Sequence, residues 1–254
     1  MNKSSESLQI SEAQKGEALI QIEHLSRVIE TRTSKITVLN DISFTVYQQS
    51  LFAINGPSGS GKSTILNLLT GIDRASSGRI IFAGQELRKM SEDALARWRG
   101  KHVGIVFQFF QLIPTLTALE NVLLALELGG GAGLRRREWR ARAQECLEIA
   151  LVEDCAQRLP GEMSGGQQQR VAIARALVND PPVIIADEPT GNLDSHTAQQ
   201  VFATLASLTR RGKTVIYVTH DLQLAAQATA RIDLLDGQIV GSHNARATVT
   251  GALK

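Results

Sequence analysis

One glycine-rich segment combines the residue types that bind phosphate. It reads Gly56-Pro57-Ser58-Gly59-Ser60-Gly61-Lys62-Ser63-Thr64 and matches the pattern G-x-x-x-x-G-K-[ST]. Glycines let the backbone wrap closely around a phosphate and turn successive N–H groups inward. The Lys62 ammonium would reach the outer phosphates of a nucleoside triphosphate, and the Ser63 hydroxyl would bind Mg²⁺. The apolar run before the segment and the helix-like residues 64–69 after it supply the strand–loop–helix context that this chemistry requires.

Two adjacent carboxylates follow another apolar run. Val183-Ile184-Ile185-Ala186 leads directly into Asp187 and Glu188. Two acids at the end of a buried strand are costly unless a cation or a polarised water uses them. Asp187 suits the coordination of Mg²⁺, and Glu188 suits the polarisation of an attacking water as a general base. Taken alone, such a pair is more often a helix N-cap, but the phosphate-binding segment favours the chemical interpretation.

Four short apolar runs predict the strands that must position these residues. They are aliphatic or β-branched without polar alternation, which suits strands covered on both faces. They occupy residues 51–54, 103–107, 183–186 and 215–218. Their alternation with helical stretches predicts an α/β fold with a mainly parallel sheet. Ligands of such sheets bind beyond the carboxyl ends of the strands, so we expect the chemistry to converge on one edge.

Composition and charge exclude several classes of protein. The 254 residues include 27 Lys and Arg and 25 Asp and Glu, which gives a formal charge of +2. This balance argues against a broad cationic face, so we expect no nucleic-acid partner. No apolar run approaches the roughly 18–20 residues that span a bilayer, and the first residues lack the apolar segment of a signal peptide. Cys146 and Cys155 match neither a metal nor a redox spacing, so we expect a cytoplasmic protein with reduced thiols.

The region between the second and third predicted strands has a helical character. Residues 115–127 and 138–151 are predicted to be helices, joined by the glycine-rich, flexible residues 129–133 and the basic triplet 135–137. The triplet is consistent with contact to lipid head groups or, more commonly, with a solvated helix start. We expect these helices to form an inserted subdomain at about residues 90–168.

The chain is predicted to contain one domain between two terminal segments. The polar residues 1–18 are predicted to be a flexible extension, residues 19–240 a catalytic domain, and residues 241–254 a tail. No internal repeat is visible, so the chain holds one nucleotide-binding unit.

A third motif narrows the class of protein. Met163-Ser164-Gly165-Gly166-Gln167-Gln168-Gln169-Arg170 resembles the signature motif of ATP-binding cassette (ABC) ATPases, with Met in place of the usual leading Leu. Ser-Gly-Gly at the start of a helix is a second anion-binding surface, although alone it is equally an ordinary helix cap. In the ABC family the signature and the phosphate loop belong to opposite halves of a head-to-tail dimer that sandwiches two ATP molecules. Ser164, Gly165, Gly166 and Gln167 would therefore contact the ATP of the opposite subunit.

Three further segments match the ABC pattern in the expected order. Gln108, predicted to end the second strand, matches the Q-loop glutamine that touches Mg²⁺ and the water and relays to the membrane partner. Gly191-Asn192-Leu193-Asp194 matches the D-loop, so Asp194 would lie at the dimer interface. His220, after the fourth strand, matches the switch histidine that contacts the γ-phosphate. The resemblance implies a P-loop NTPase (RecA-like) core with an N-terminal antiparallel β part and an inserted helical subdomain.

The residues in and around these motifs resemble those of one ABC branch. This branch contains the ATP-binding subunits of lipoprotein-releasing and macrolide-export systems. The segments that carry this likeness are residues 71–78, 107–114, 188–194 and 219–226. The likeness implies a separate integral membrane permease as partner and a location at the inner face of the cell membrane. A similar subunit of a signalling complex that regulates cell-wall hydrolases remains an alternative. A soluble ABC protein acting on ribosomes or DNA is disfavoured, because the chain has one cassette and no long coiled coil.

Two positions depart from the ABC pattern. The aromatic residue that family members stack on adenine corresponds to Ile29, and Tyr47, which lies after the next predicted strand, cannot replace it. The usual Gly-Glu turn before the phosphate-loop strand is Gln49-Ser50 here. The first departure bears on the affinity for the base, and the second concerns the local backbone.

Overall fold

The central sheet of this computed structural model, which describes residues 17–31 and 33–244, is built from the apolar runs. Its strands are β3 (Leu51–Asn55), β6 (Val103–Val106), β7 (Val183–Asp187), β8 (Thr214–Thr219), β9 (Ala230–Leu235) and β10 (Gln238–Asn244). Their order is β10-β9-β3-β8-β7-β6, and all neighbours are parallel except β10 and β9. The predicted mainly parallel α/β sheet is confirmed.

A second, antiparallel sheet precedes and flanks the phosphate-binding segment. It contains β1 (Ala18–Glu30), β2 (Lys35–Tyr47), β4 (Ser77–Phe82) and β5 (Gln85–Glu86) in the order β2-β1-β4-β5. In β2 the apolar side chains of Ile42, Phe44 and Val46 are buried at every second position. This period places one face of the sheet on the core and leaves the other face to solvent.

In residues 17–31 and 33–244, seven α-helices connect the strands. They are α1 (Lys62–Leu69), α2 (Glu92–His102), α3 (Ala118–Leu128), α4 (Trp139–Ile149), α5 (Gly165–Leu177), α6 (Ser195–Ser207) and the short α7 (Leu222–Ala225) in the described part of the chain. Several begin at a Ser, Thr or Asp whose side chain accepts a backbone N–H of the first turn, which is the preferred chemistry of a helix N-cap. No helix in residues 17–31 and 33–244 has both the length and the apolarity needed to cross a bilayer.

Alternation along the buried strands divides the core into two apolar layers. In β3 the side chains of Leu51 and Ala53 pack with those of α3 to α6, whereas Phe52 and Ile54 pack with α1, α2 and the antiparallel sheet. Because successive side chains of a strand point to opposite faces, one five-residue run anchors both layers. The sheet is covered on both sides, which explains the absence of polar alternation in its sequence.

Several boundaries differ from those predicted. The predicted subdomain of residues 90–168 includes β6, which belongs to the central sheet, so the helices inserted between β6 and β7 are α3, α4 and α5. The predicted tail of residues 241–254 begins inside β10, where hydrogen bonding to β9 extends the sheet through Asn244. The predicted extension overlaps the first residue of β1. Residues 1–16 and 245–254 lie outside the described residues.

Candidate functional site

The phosphate loop lies between β3 and α1, at the carboxyl edge of the central sheet. Lys62 is the first residue of α1, and its side chain is only 6% exposed. Its Nζ donates to the carbonyl of Gly56 at 2.9 Å and to that of Pro57 at 2.8 Å. The ammonium is therefore held inside the loop that encloses it, where it can meet a phosphate that the loop binds.

The Ser63 hydroxyl and the Asp187 carboxylate meet although 124 residues separate them in sequence. Ser63 Oγ donates to Asp187 Oδ1 at 3.3 Å. Burial raises the pKa of Asp187, and the neighbouring Glu188 raises it further, while the Ser63 hydrogen bond and Lys62 act in the opposite direction. A partly desolvated carboxylate gains from a nearby cation, and such hard oxygen atoms are the ligands that Mg²⁺ prefers.

These two residues fit a bound Mg²⁺ that completes its coordination with phosphate and water. No group of three or more His, Cys, Asp or Glu side chains suited to a metal occurs within residues 17–31 and 33–244. Mg²⁺ at nucleotide sites is typically held by one or two protein side chains together with substrate phosphates and water. Ser63 and Asp187 therefore suit a cation that arrives bound to a nucleotide better than a metal ion that protein side chains alone hold.

Glu188 lies between two cationic or titratable groups. Its Oε1 is 3.3 Å from His220 Nδ1 and 4.0 Å from Lys62 Nζ. Its backbone has a φ of 41°, in the left-handed region that L-residues other than Asn and Asp seldom adopt. Such strain clusters at functional sites, where the surrounding structure holds the residue in place. The strand end and His220 together direct this carboxylate into the site.

Gln108 and the segment after Glu188 also lie at the carboxyl edge of the central sheet. An ideal Cβ on Gly191 would lie 3.1 Å from Gln108 Nε2 and 3.4 Å from Glu188 Oε2, so the amide and the carboxylate flank the same glycine. Asn192 Nδ2 donates to the Gln108 carbonyl at 3.0 Å. The prediction that Gln108 ends the strand is wrong, because β6 stops at Val106 and Gln108 lies in the turn that follows.

Sequence reasoning missed the side chains that hold the backbone around Gln108. Gln169 Nε2 donates to the Phe107 carbonyl at 3.3 Å, and the Arg175 guanidinium donates to the carbonyls of Phe110, at 2.8 Å, and Gln111. Phe110 and Gln111 have φ values of 55° and 50°. Burial lowers the pKa of Arg175. The signal in the sequence was Arg175, a single charged residue in the apolar run of residues 171–177, whereas Gln169 stands among other glutamines and gave none.

The Ser164 signature forms a separate surface. Ser164 caps α5: its Oγ accepts from the Gln167 N–H at 3.3 Å, and Gln167 Oε1 accepts from the Ser164 N–H at 2.9 Å. Ser164, Gly166 and Gln167 line a cavity of about 320 Å³ with residues of α6, and no phosphate-loop residue lines it. Glu188 and His220 instead line another cavity, of about 220 Å³. Within one chain, hydrogen bonds and close contacts bring the phosphate loop, Asp187, Glu188, Gln108 and His220 together, whereas the signature lines a cavity that none of them lines.

Asp194 has a local structural role at the start of α6. Its carboxylate accepts the backbone N–H of Thr197 at 3.0 Å and of His196 at 3.1 Å. These hydrogen bonds, those from Thr197 first, lower the pKa of Asp194. The residue therefore fixes the geometry of the turn between Gly191 and α6.

The predicted adenine position lies at the open end of the antiparallel ribbon. Ile29 of β1 pairs with Ile36 of β2, and their exposed fractions are 44% and 53%. Tyr47 pairs with Ala18 at the opposite end of the same two strands. Tyr47 is the last residue of β2 and does not follow that strand, and its inability to replace Ile29 stays a prediction.

A parallel sheet, a G-x-x-x-x-G-K-S loop and an acidic strand end with a hydroxyl beside it define a P-loop NTPase. The comparison with protein families gives the narrower class: the ABC transporter model matches residues 39–191. The chain belongs to the ABC transporter family, and it contains the ATP-hydrolysing cassette of that family.

Similar proteins include both separate cassettes and longer proteins. The macrolide export ATP-binding/permease protein MacB of Escherichia coli K12 is 45% identical over 235 residues, which are 92% of this chain and 36% of MacB. An uncharacterized ABC transporter ATP-binding protein of Thermotoga maritima is 44% identical over 207 residues, 82% of this chain and 87% of that protein. The chain thus spans about a third of the length of MacB.

Solved structures give the same fold. The dimeric post-hydrolysis state of the ATP-binding cassette MJ0796, bound to ADP and Pi, superposes with a TM-score of 0.82 at 39% identity. The match covers 90% of this chain and 99% of that one. The structure of cbiO1 from Clostridium perfringens, part of the ABC transporter complex cbiONQ, has a TM-score of 0.79 at 28% identity and covers 89% of this chain and 88% of that one.

Proposed function

We propose that this chain hydrolyses ATP in a head-to-tail dimer and thereby drives an integral membrane permease. The carrying observation is that the phosphate loop, Asp187 and Glu188 converge on one edge while the Ser164 signature lies on a separate surface. A complete site then needs the signature of a second copy.

Each group at the edge has a role that follows from its position. The phosphate-loop N–H groups and Lys62 would bind the β- and γ-phosphates, while Ser63, Asp187 and Gln108 would hold Mg²⁺. The bound Mg²⁺ supplies charge neutralisation of the phosphates. Glu188 would accept a proton from the water that attacks the γ-phosphate as the bond to the leaving ADP breaks, since it lies beside Asp187 and its Oε1 is 4.0 Å from Lys62 Nζ. His220, 3.3 Å from Glu188, contacts the γ-phosphate and orients that carboxylate.

The second copy would contribute a helix N-terminus to the γ-phosphate. Ser164, Gly165, Gly166 and Gln167 open α5, a helix of 13 residues whose first N–H groups carry partial positive charge. Contacts made by both copies to the γ-phosphate favour the closed dimer with ATP over that with ADP. Asp194, fixed at the start of α6, lies in the segment that would face the partner.

A complementation experiment tests the shared site. A Lys62→Ala chain lacks the phosphate-loop cation, and a Ser164→Arg chain blocks the signature, so each homodimer has two inactive sites. A mixed dimer pairs one intact phosphate loop with one intact signature. We expect ATPase activity in the mixture and none in either variant alone. Normal hydrolysis by the Ser164→Arg chain on its own would rule out the shared site.

The permease partner is proposed from the likeness to MacB, described as a macrolide export ATP-binding/permease protein. The cassette would work at the inner face of the membrane with a permease of the lipoprotein-release or macrolide-export type. Tagged Glu188→Gln chain, purified with ATP from detergent-solubilised membranes of its source cells, should retain such a permease. The Lys62→Ala chain is the matched control, because it should not bind ATP and therefore should not form the ATP-bound state. Recovery of a membrane regulator of cell-wall hydrolases instead would favour the signalling alternative.

A further inference from the structure

The residue just before the phosphate loop is a buried amide with one specific partner. Asn55 is the last residue of β3 and is 8% exposed. It is the direct parallel neighbour of Asp233 in β9, and its Nδ2 donates to Asp233 Oδ1 at 2.7 Å. The adjacent residues of β3, Phe52 to Ile54, are apolar and fully buried. A polar side chain at this position therefore depends on its partner.

Side chains from three strands contact the Asp233 carboxylate. Its Oδ2 lies 3.3 Å from His243 Nε2 of β10 and 3.6 Å from Arg231 Nε of β9, while Oδ1 binds Asn55 of β3. Gly241 of β10 lies opposite Asp233, and an ideal Cβ there would be 3.1 Å from Oδ2. The glycine leaves the space that the carboxylate fills. The pair is thus built into the fold and not a chance surface contact.

The hairpin that carries Asp233 also touches both ends of the phosphate loop. An ideal Cβ on Gly56 would lie 2.3 Å from the Leu234 carbonyl, so the loop begins directly against β9. At the other end of the loop, the Gly237 N–H donates to the Ser60 carbonyl at 3.1 Å. Lys62 Nζ in turn donates to the Gly56 carbonyl. A shift of β9 relative to β3 would move the carbonyl that positions Lys62.

We propose that Asn55 and Asp233 are positioning residues that fix the phosphate loop for the outer phosphates of the nucleoside triphosphate. The hydrogen bond sets the register of β9 against the end of β3, and this register places Gly56 and Lys62. The inference rests on the proposed nucleotide site at the phosphate loop. It assigns a binding role to residues outside the motif, one of them 171 positions after Lys62.

The test measures nucleotide affinity of the full chain by calorimetry with a non-hydrolysable ATP analogue and Mg²⁺. Asn55→Leu should weaken binding about fivefold or more, the effect of losing one positioning hydrogen bond. Asp233→Leu should do the same, whereas Asp233→Asn keeps an acceptor for Asn55 and should stay within about twofold of the parent chain. In steady-state hydrolysis, Asn55→Leu should raise KM more than it lowers kcat. Asn55→Leu leaves Asp233 beside Arg231 and His243, so this variant should fold.

Two control variants distinguish failure of the positioning role from failure of the proposed nucleotide site. Asp73→Leu removes a comparable pair, in which Arg27 Nε lies 2.8 Å from Asp73 Oδ2, and it should lower Tm without changing affinity. Lys62→Ala should abolish binding; if it does not, the proposed nucleotide site is wrong. If Lys62→Ala abolishes binding while Asn55→Leu lowers Tm and leaves affinity unchanged, the positioning role is overturned. Equal loss of affinity in Asp73→Leu would overturn it as well, because the effect would then be a general loss of stability.

Discussion

At the scale of single residues, Glu188 combines a positive φ with a position at the end of a buried strand. It follows the buried β7, adopts a positive φ, and lies near His220 and Lys62. Strain of this kind costs on the order of 1–3 kcal/mol and persists when neighbouring contacts hold it. The strained turn aims the carboxylate at the space beside the phosphate loop, which is the position that a general base requires.

The role of Glu188 predicts a specific kinetic defect. Glu188→Gln keeps the size and polarity of the side chain but removes the proton acceptor, so turnover should fall by roughly 10²–10⁴-fold while ATP binding is retained. The ATPase rate and the nucleotide affinity of the purified variant check this. The exposed Glu127→Gln is the control. A rate near that of the parent chain in Glu188→Gln would remove the residue from the reaction.

Ile29 predicts an unusual mode of base binding. An isoleucine offers apolar area but no flat ring, and base stacking on an aromatic side chain contributes roughly 1–3 kcal/mol. Ile29→Tyr should therefore tighten ATP binding by up to about tenfold, which corresponds to 1.4 kcal/mol. Calorimetry with a non-hydrolysable analogue measures this, and Ile72→Tyr, at an isoleucine that is 55% exposed after α1, is the control. Unchanged affinity in Ile29→Tyr would show that another residue covers the base.

At the scale of elements, α5 links the signature to the edge of the central sheet. Its first turn is capped by Ser164, and further along the helix Gln169 and Arg175 bind the backbone on both sides of Gln108. A rigid helix of 13 residues therefore connects the surface that would meet a second copy with the segment that carries the glutamine. Because the helix packs along its length against β6 and the neighbouring helices, we expect a movement of its first turn to displace the segment that Gln169 and Arg175 bind.

This linkage predicts that Arg175 acts on turnover more than on binding. Arg175→Ala frees the carbonyls of Phe110 and Gln111, so kcat should fall about 10- to 100-fold, the usual effect of a small misplacement, with nucleotide affinity nearly unchanged. Arg175→Lys should recover part of the rate, since one ammonium cannot reproduce the planar fork of a guanidinium.

The matched control for Arg175 lies on α4. Arg142 also donates to two backbone carbonyls, but these belong to Leu177 and Val178 at the C-terminal end of α5 and not to the segment around Gln108. Arg142→Ala should lower Tm and leave kcat unchanged. Equal kinetic defects in the Arg142 and Arg175 variants would mean that loss of helix packing, and not the position of Gln108, reduces turnover.

At the scale of the whole molecule, the two halves of the proposed site lie on different surfaces of one chain. Residues at the carboxyl edge line one cavity, and the signature lines another. In the proposed head-to-tail pair, each edge would meet the signature of its partner, so association would depend on the bound triphosphate. The similar cassette MJ0796 is dimeric in its solved post-hydrolysis structure.

The arrangement predicts a dimer that depends on both ATP and the signature. Glu188→Gln with ATP and Mg²⁺ should elute from a sizing column at twice the mass of the chain, and at the mass of one chain with ADP. Adding Ser164→Arg to the same chain should abolish the larger species, because the charged side chain blocks contact with the γ-phosphate. A dimer of equal abundance with ADP would contradict nucleotide-driven closure.

Local patterns determined much of this protein from its sequence. The apolar runs identified the strands β3, β6, β7 and β8, because strands buried on both faces have no polar alternation. The phosphate loop and the acidic strand end were visible since their chemistry depends on consecutive residues. Chain direction in a parallel sheet then placed their carboxyl ends on one edge.

Contacts between distant segments were decided only by the tertiary structure. The approach of Ser63 to Asp187, the binding of the Gln108 segment by Gln169 and Arg175, and the Asn55–Asp233 pair join residues 62 to 178 positions apart. Strand order and register set these distances, and no periodicity in the sequence records which strands are neighbours. The same reason explains why the sequence placed Gly241 in a tail: β10 gains its stability from pairing with β9, a property that its own residues do not display.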